Sequence, residues 1–73
     1  MYSTGFQCPD TGEWVVAKYA FGKLIVTFAD DATMPETKEY CKRHTNKRFK
    51  SLDEANDYII RASQGQTFGL EKY

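Results

Sequence analysis

This chain is short of the residues that build reactive sites. Its 73 residues hold one histidine, two cysteines and two prolines. Cys8 and Cys41 are too few for a disulfide framework, and a reducing compartment keeps them as thiols. An oxidising setting leaves a Cys8–Cys41 bridge as the alternative. There is no Cys-x-x-Cys pair, and Cys41, His44, Cys8 and Asp10 are scattered for a zinc site, so no metal is expected. A Cys41–His44 nucleophile pair lacks an oxyanion or substrate-positioning motif beside it. No convergent Ser/His/Asp set, paired carboxylates or phosphate loop appears either. The expectation is no enzyme activity and no cofactor.

Long apolar runs are also missing. The longest, around Leu24-Ile25-Val26, is strand-sized and does not span a membrane. Met1-Tyr2-Ser3-Thr4-Gly5 lacks the basic region and apolar run of a signal peptide, which predicts a cytoplasmic protein. Net charge is missing as well, with ten Lys and Arg against ten Asp and Glu.

What is present is aromatic. One Trp, five Tyr and five Phe supply much of what a domain this small can bury, at about 150–250 Å² each. Length and composition predict one domain over 1–73, with an N-terminal arm at 1–12 and a C-terminal tail at 66–73. Cys8-Pro9-Asp10-Thr11-Gly12 is turn-rich. Glu13–Ala20 alternates as a strand, with Trp14 and Val16 on one face and Val15, Ala17 and Tyr19 on the other. Phe21-Gly22 is a tight connection. Lys23–Ala29 is a second strand, with Leu24, Val26 and Phe28 on one face. Its partner's outer edge carries no proline and is open to another strand, including one from a second copy in a homodimer.

Residues 34–44 have two readings. Thr33 and Glu36 are spaced as a capping box, and Pro35 suits a first turn, which gives a short helix presenting Met34, Lys38 and Cys41 along one side. The other reading is a second hairpin, 37–43 against 47–50. The lack of β-branched residues in 38–44 favours the helix. Lys47–Lys50 is a short third strand with Phe49 inward. Ser51–Gln64 is a helix: Ser51 and Glu54 form a capping box, Leu52, Ala55, Ile59 and Ala62 share a face, and Gly65 ends it. Phe68, Leu70 and Tyr73 fold back on the core. The predicted class is α+β, a three-stranded, mainly antiparallel sheet packed by one C-terminal helix.

The charge is unevenly spread. Lys38, Lys42, Arg43, Lys47, Arg48 and Lys50 are six of the ten cations and fall within thirteen positions. His44 lies among them as an expected surface residue, and Tyr40 is placed to stack on a base. Such a patch needs a counterpart. One candidate is the chain's own Glu36, Glu39, Asp53, Glu54 and Asp57. The others are a phosphate backbone and an acidic protein surface. Trp14, Tyr19, Phe21 and Phe28 are core candidates first, and an exposed binding patch second.

Gly12-Glu13-Trp14-Val15-Val16-Ala17-Lys18, followed by Lys47-Arg48-Phe49-Lys50-Ser51-Leu52-Asp53-Glu54-Ala55, resembles the arm-type DNA-binding domains of phage integrases and plant AP2 domains. The resemblance implies three strands and a helix, with DNA read by the sheet. The strand followed by Ser-Leu-Asp-Glu-Ala is also similar to small phage proteins that inhibit a host polymerase by docking on it. These readings predict a small binding protein without catalysis, a regulator or inhibitor of the kind phages encode, docking on a larger protein partner. The alternative is a DNA- or RNA-binding module using Tyr40, Lys42, Arg43, His44, Lys47, Arg48 and Lys50. No membrane partner is expected.

Overall fold

A computed structural model describes residues 1–72. The elements are β1 (Tyr2–Gln7), β2 (Trp14–Ala20), β3 (Lys23–Phe28), α1 (Pro35–His44), β4 (Lys47–Arg48), α2 (Leu52–Ala62) and β5 (Glu71–Lys72). The five strands form one antiparallel sheet in the order β4-β3-β2-β1-β5. The chain is thus α+β, with five strands among the described residues where three were expected, and with the favoured short helix over 34–44 formed beside the C-terminal one.

Register explains the layering. Phe6 lies opposite Val15, and Thr4 opposite Ala17. Ala17 lies opposite Val26, and Tyr19 opposite Leu24. These residues share one face by the two-residue period of a strand. Phe6, Val15, Ala17, Tyr19, Leu24 and Val26 are buried there, together with Tyr40 and Cys41 of α1 and Ala55 and Ile59 of α2. Both helices cover this face. The alternation expected for β2 is the one formed.

The arm 1–12 contains β1, which the sequence conceals. Among Tyr2–Gln7 only Phe6 is a buried large apolar residue, and Gly5 is a poor strand former. Pairing with β2 along its whole length supplies what propensity lacks. The tail supplies β5, only two residues long, on Tyr2 and Ser3. Leu70 folds into the core as expected, but Phe68 is fully exposed. Tyr73 lies outside the described residues. With β1 in place, β2 is central and is not an edge. Among the described residues, strand pairing is open instead along β1 beyond Ser3 and along β3 beyond Leu24.

The helical reading of 34–44 is the one formed, but its start is made differently from the expected Thr33–Glu36 box. Met34 is the N-cap residue and has no side-chain oxygen to offer. The carboxylate of Glu13, from the start of β2, does the capping. Its Oε2 accepts from the amide of Thr33 (2.8 Å), and its Oε1 accepts from the amide of Met34 (3.1 Å) and from the hydroxyl of Thr37. Thr37 has one hydroxyl proton and gives it to Glu13. The 2.7 Å contact between Thr11 and Thr37 is therefore donated by Thr11, which itself accepts from the amide of Glu13. The ring closes through three residues, one of them the fully buried Thr37. A carboxylate here also meets the positive end of the helix dipole.

That clamp turns α1 so that Thr37, Tyr40 and Cys41 face inward. Met34 and Lys38, expected on the same side as Cys41, are exposed, because inward positions spaced by three and four run 37, 40, 41 and 44. Tyr40 is 2% exposed, and its hydroxyl donates to the carbonyl of Ala62 at 2.8 Å, tying α1 to the end of α2. The Ser51 hydroxyl accepts from the Glu54 amide at 3.3 Å, the cap expected for α2. The helix ends two residues before Gln64. Gln64 and Gly65 both have positive φ, and the Gly65 amide reaches back to the carbonyl of Ile60.

The Glu13 carboxyl is held below its ordinary 4.5, first by the Thr37 hydroxyl and then by the Thr33 amide. A lowered acid stabilises the fold above its unfolded pKa, and that stability is lost as pH falls through the folded one. Glu13→Gln is expected to melt below wild type at neutral pH, with the gap closing as pH falls below 4.5. A gap independent of pH would contradict the clamp. Tyr40→Phe leaves a buried carbonyl without its donor and is expected to lower stability by about 1–3 kcal/mol. A urea melt checks this, with the midpoint reduced and the slope unchanged.

Candidate functional site

The basic segment does not survive folding as one patch. Lys38 lies over the ring of Phe28, 5.7 Å from its centroid. Arg43 pairs with Asp10 at 3.0 Å, the only ion pair among the described residues. It lines a shallow groove of about 280 Å³ with Asp10, Pro35, Glu36 and Glu39, which is acidic surroundings and not a phosphate site. Lys42 stands exposed on the last turn of α1. Lys47 and Arg48 form β4, and Lys50 follows. The expected pairing of this run with Glu36, Glu39, Asp53, Glu54 and Asp57 is not made among the described residues.

Tyr40 and His44 leave the binding set for a packing reason. Tyr40 is in the core, so no base reaches it. His44 is half-buried, 4.5 Å from the Tyr40 ring centroid, and its Nδ1 lies 2.6 Å from the Tyr58 hydroxyl. Tyr58 in turn packs on Phe49, at 5.3 Å between centroids. The expected surface histidine is thus a link in an aromatic row running from Phe6 through Tyr40, His44 and Tyr58 to Phe49. Arg43 and Lys47 flank it in sequence, which is why it reads as part of a basic run.

Both cysteines are buried and free. Burial, and then the nearby Cys8, push the Cys41 thiol up to about 11, so it keeps its proton at neutral pH. His44 spends Nδ1 on Tyr58. The pair offers no thiolate and no base aimed at one. Among the described residues no three of His, Cys, Asp and Glu converge to hold a metal ion.

A different cationic group assembles on the face of the sheet away from the helices. Lys18 and Lys23 alternate with the buried Ala17, Tyr19 and Leu24, so they point to this open face. Arg48 lies directly opposite Lys23. Lys18 lies opposite Ile25, which places it diagonally across from Lys23. Three cations thus run obliquely across β2, β3 and β4, with no carboxylate of the described residues within 4.0 Å of any of them. Among the described residues the one acid on the strands of this face is Glu71, opposite Ser3, which lies opposite Lys18. Val16, Ile25 and Trp14 share the face, and Trp14 is 54% exposed.

Sequence reasoning found Arg48 but missed Lys18 and Lys23. They sit outside the dense segment, and only the register brings them beside it. The signal was available in part: within alternating strands, Lys18 and Lys23 both occupy positions opposite in phase to the apolar ones. Trp14, Phe21 and Phe28, expected first as core, are exposed. Trp14 lies on the open face. Phe21 sits at a turn tip, and Phe28 ends its strand at the rim beside α1.

Burial lowers the His44 pKa first, and then Arg43 and Lys47 lower it, against Asp10 raising it. A base held neutral by the fold contributes stability above its unfolded pKa of 6.5, which is lost as pH falls through the folded value. Wild type is therefore expected to lose melting temperature as pH is lowered from 7.5 past 6.5, while His44→Gln stays nearly flat in that window. Parallel curves would place the pH sensitivity elsewhere.

No protein-family model, curated protein or solved structure matches this chain.

Proposed function

We propose that the chain binds nucleic acid through the open face of its sheet. The observation that carries this is the Lys18–Lys23–Arg48 line. Like charges directly opposite on neighbouring strands destabilise a sheet, and here no acid of the described residues pairs with them. A bound phosphate backbone does so, releasing its own counterions as it binds.

The zero net charge does not count against this, because the open face by itself holds Lys18, Lys23 and Arg48 against Glu71. Glu36, Glu39, Asp53, Glu54 and Asp57 are all exposed on the helices, behind the sheet. The helix layer also carries Lys38, Lys42, Arg43 and Arg61 among those carboxylates, whereas the open face is net cationic, so a polyanion is drawn to the sheet side. Trp14, Gln7, Ser3 and Thr27 offer the same face stacking and hydrogen-bonding groups. Reading DNA with the sheet is also what the resemblance to integrase arm-type and AP2 domains implies.

The test is binding to short single- and double-stranded oligonucleotides across a salt series, followed by the intrinsic fluorescence of Trp14. The expected slope of log K against log salt is roughly −2 to −3 for about three phosphates. Lys18→Glu/Lys23→Glu/Arg48→Glu, with its fold verified by circular dichroism, is expected to abolish binding. Lys42→Glu on α1 should leave it intact. No binding by wild type, or binding that the triple variant retains, overturns the proposal and turns the search to an acidic protein partner.

A further inference from the structure

The turn between β2 and β3 carries a conflict that packing does not explain. Phe21 and Gly22 both have positive φ, at 54° and 76°. That is the pattern of a tight hairpin turn in which Asn-Gly or Gly-Gly is usual. A bulky side chain at positive φ is strained. Phe21 gains nothing from the core in return, since it is fully exposed. Strain without burial points to a use outside the fold.

Its surroundings indicate which. Phe21 lines a groove of about 320 Å³ with Met1, Tyr2, Tyr19 and Ala20, so three of the five lining residues are aromatic. The volume lies at the lower end of small-ligand sites. The next residue pair along the hairpin is Ala20 opposite Lys23, and Lys23 lies opposite Arg48. The amide of Phe49 donates to the carbonyl of Gly22 at 2.9 Å, which holds the end of β4 against the turn. Tyr2 and Tyr19 hold helix-face positions, so of the groove's aromatics it is Phe21, at the turn tip, that stands beside the Lys23–Arg48 pair of the open face.

Resting on the nucleic-acid reading above, we infer that this end of the sheet is a stacking site for one unpaired base, and that the ligand is a single strand. Phe21 supplies the ring on which the base stacks. Lys23 and Arg48 take the flanking phosphates. A duplex offers the same phosphates but keeps its bases stacked on each other, so it forgoes the Phe21 contact.

Phe21→Asn separates the two ideas, because Asn accepts the turn's backbone without strain. The probes are oligo-dT, the same oligonucleotide with abasic positions, and a duplex of equal length. Phe21→Asn is expected to melt above wild type, yet to bind oligo-dT roughly 5- to 150-fold more weakly, the loss of one base–aromatic stack. Its salt slope should equal that of wild type, because the phosphate contacts remain. Wild type should bind the abasic strand as weakly as the variant does. If Phe21→Asn binds oligo-dT as tightly as wild type, the stacking site is overturned and sheet binding stands. A wild type that prefers the duplex also overturns it. If wild type binds none of the three probes, the nucleic-acid reading fails, and the stacking site fails with it.

Discussion

The Glu13 carboxylate is the interaction on which the rest of the arrangement depends. It stands at the start of β2 and accepts from the backbone ahead of α1 and from Thr37 within it. It thus fixes where α1 begins and which side faces the sheet. The other end of that helix is fixed by the same placement: the Thr45 hydroxyl accepts from the Val26 amide at 2.9 Å, on the outer edge of β3. From there the chain turns at Asn46, whose positive φ an Asn tolerates, and lays Lys47 and Arg48 on Leu24 and Lys23. The cation pair on the open face is therefore downstream of a carboxylate on the helix face.

The molecule divides its labour by layer. Aromatic and aliphatic side chains between sheet and helices hold the fold together, with Tyr40 and His44 turning polar atoms onto Ala62 and Tyr58. The helices present carboxylates to solvent together with Lys38, Lys42, Arg43 and Arg61. The open face of the sheet presents cations, an exposed Trp and small polar residues. An antiparallel sheet accepts such a one-sided burial, since alternate residues reach opposite faces.

The hairpin β2–β3 and helix α2 were legible in the sequence because each has a strong local signature: alternation in one, a capping box and a 3.6-residue apolar face in the other. β1 and β5 were not, because their pairing with neighbours and not their own composition makes them strands. The start of α1 was misread for a related reason. Thr33 and Glu36 have the right spacing for a local box, but a carboxylate twenty residues earlier occupies the amides instead. Contacts of that range leave no periodicity to detect. The candidate site shows the same limit. A dense basic run in sequence is divided by folding: Arg43 goes to Asp10, Lys38 to Phe28 and His44 to the aromatic row. Arg48 gains Lys18 and Lys23 only through register. Tyr40, chosen for its place among cations, follows the helical period into the core.

One measurement addresses the open face directly: backbone amide shifts of the isotope-labelled chain as a short single-stranded oligonucleotide is added. Perturbations confined to Lys18, the Phe21–Lys23 turn and Lys47–Arg48, with α2 unmoved, are the expected result. Perturbations centred on the acidic surface of α2 or on the Asp10–Arg43 groove, or none at all, would contradict it.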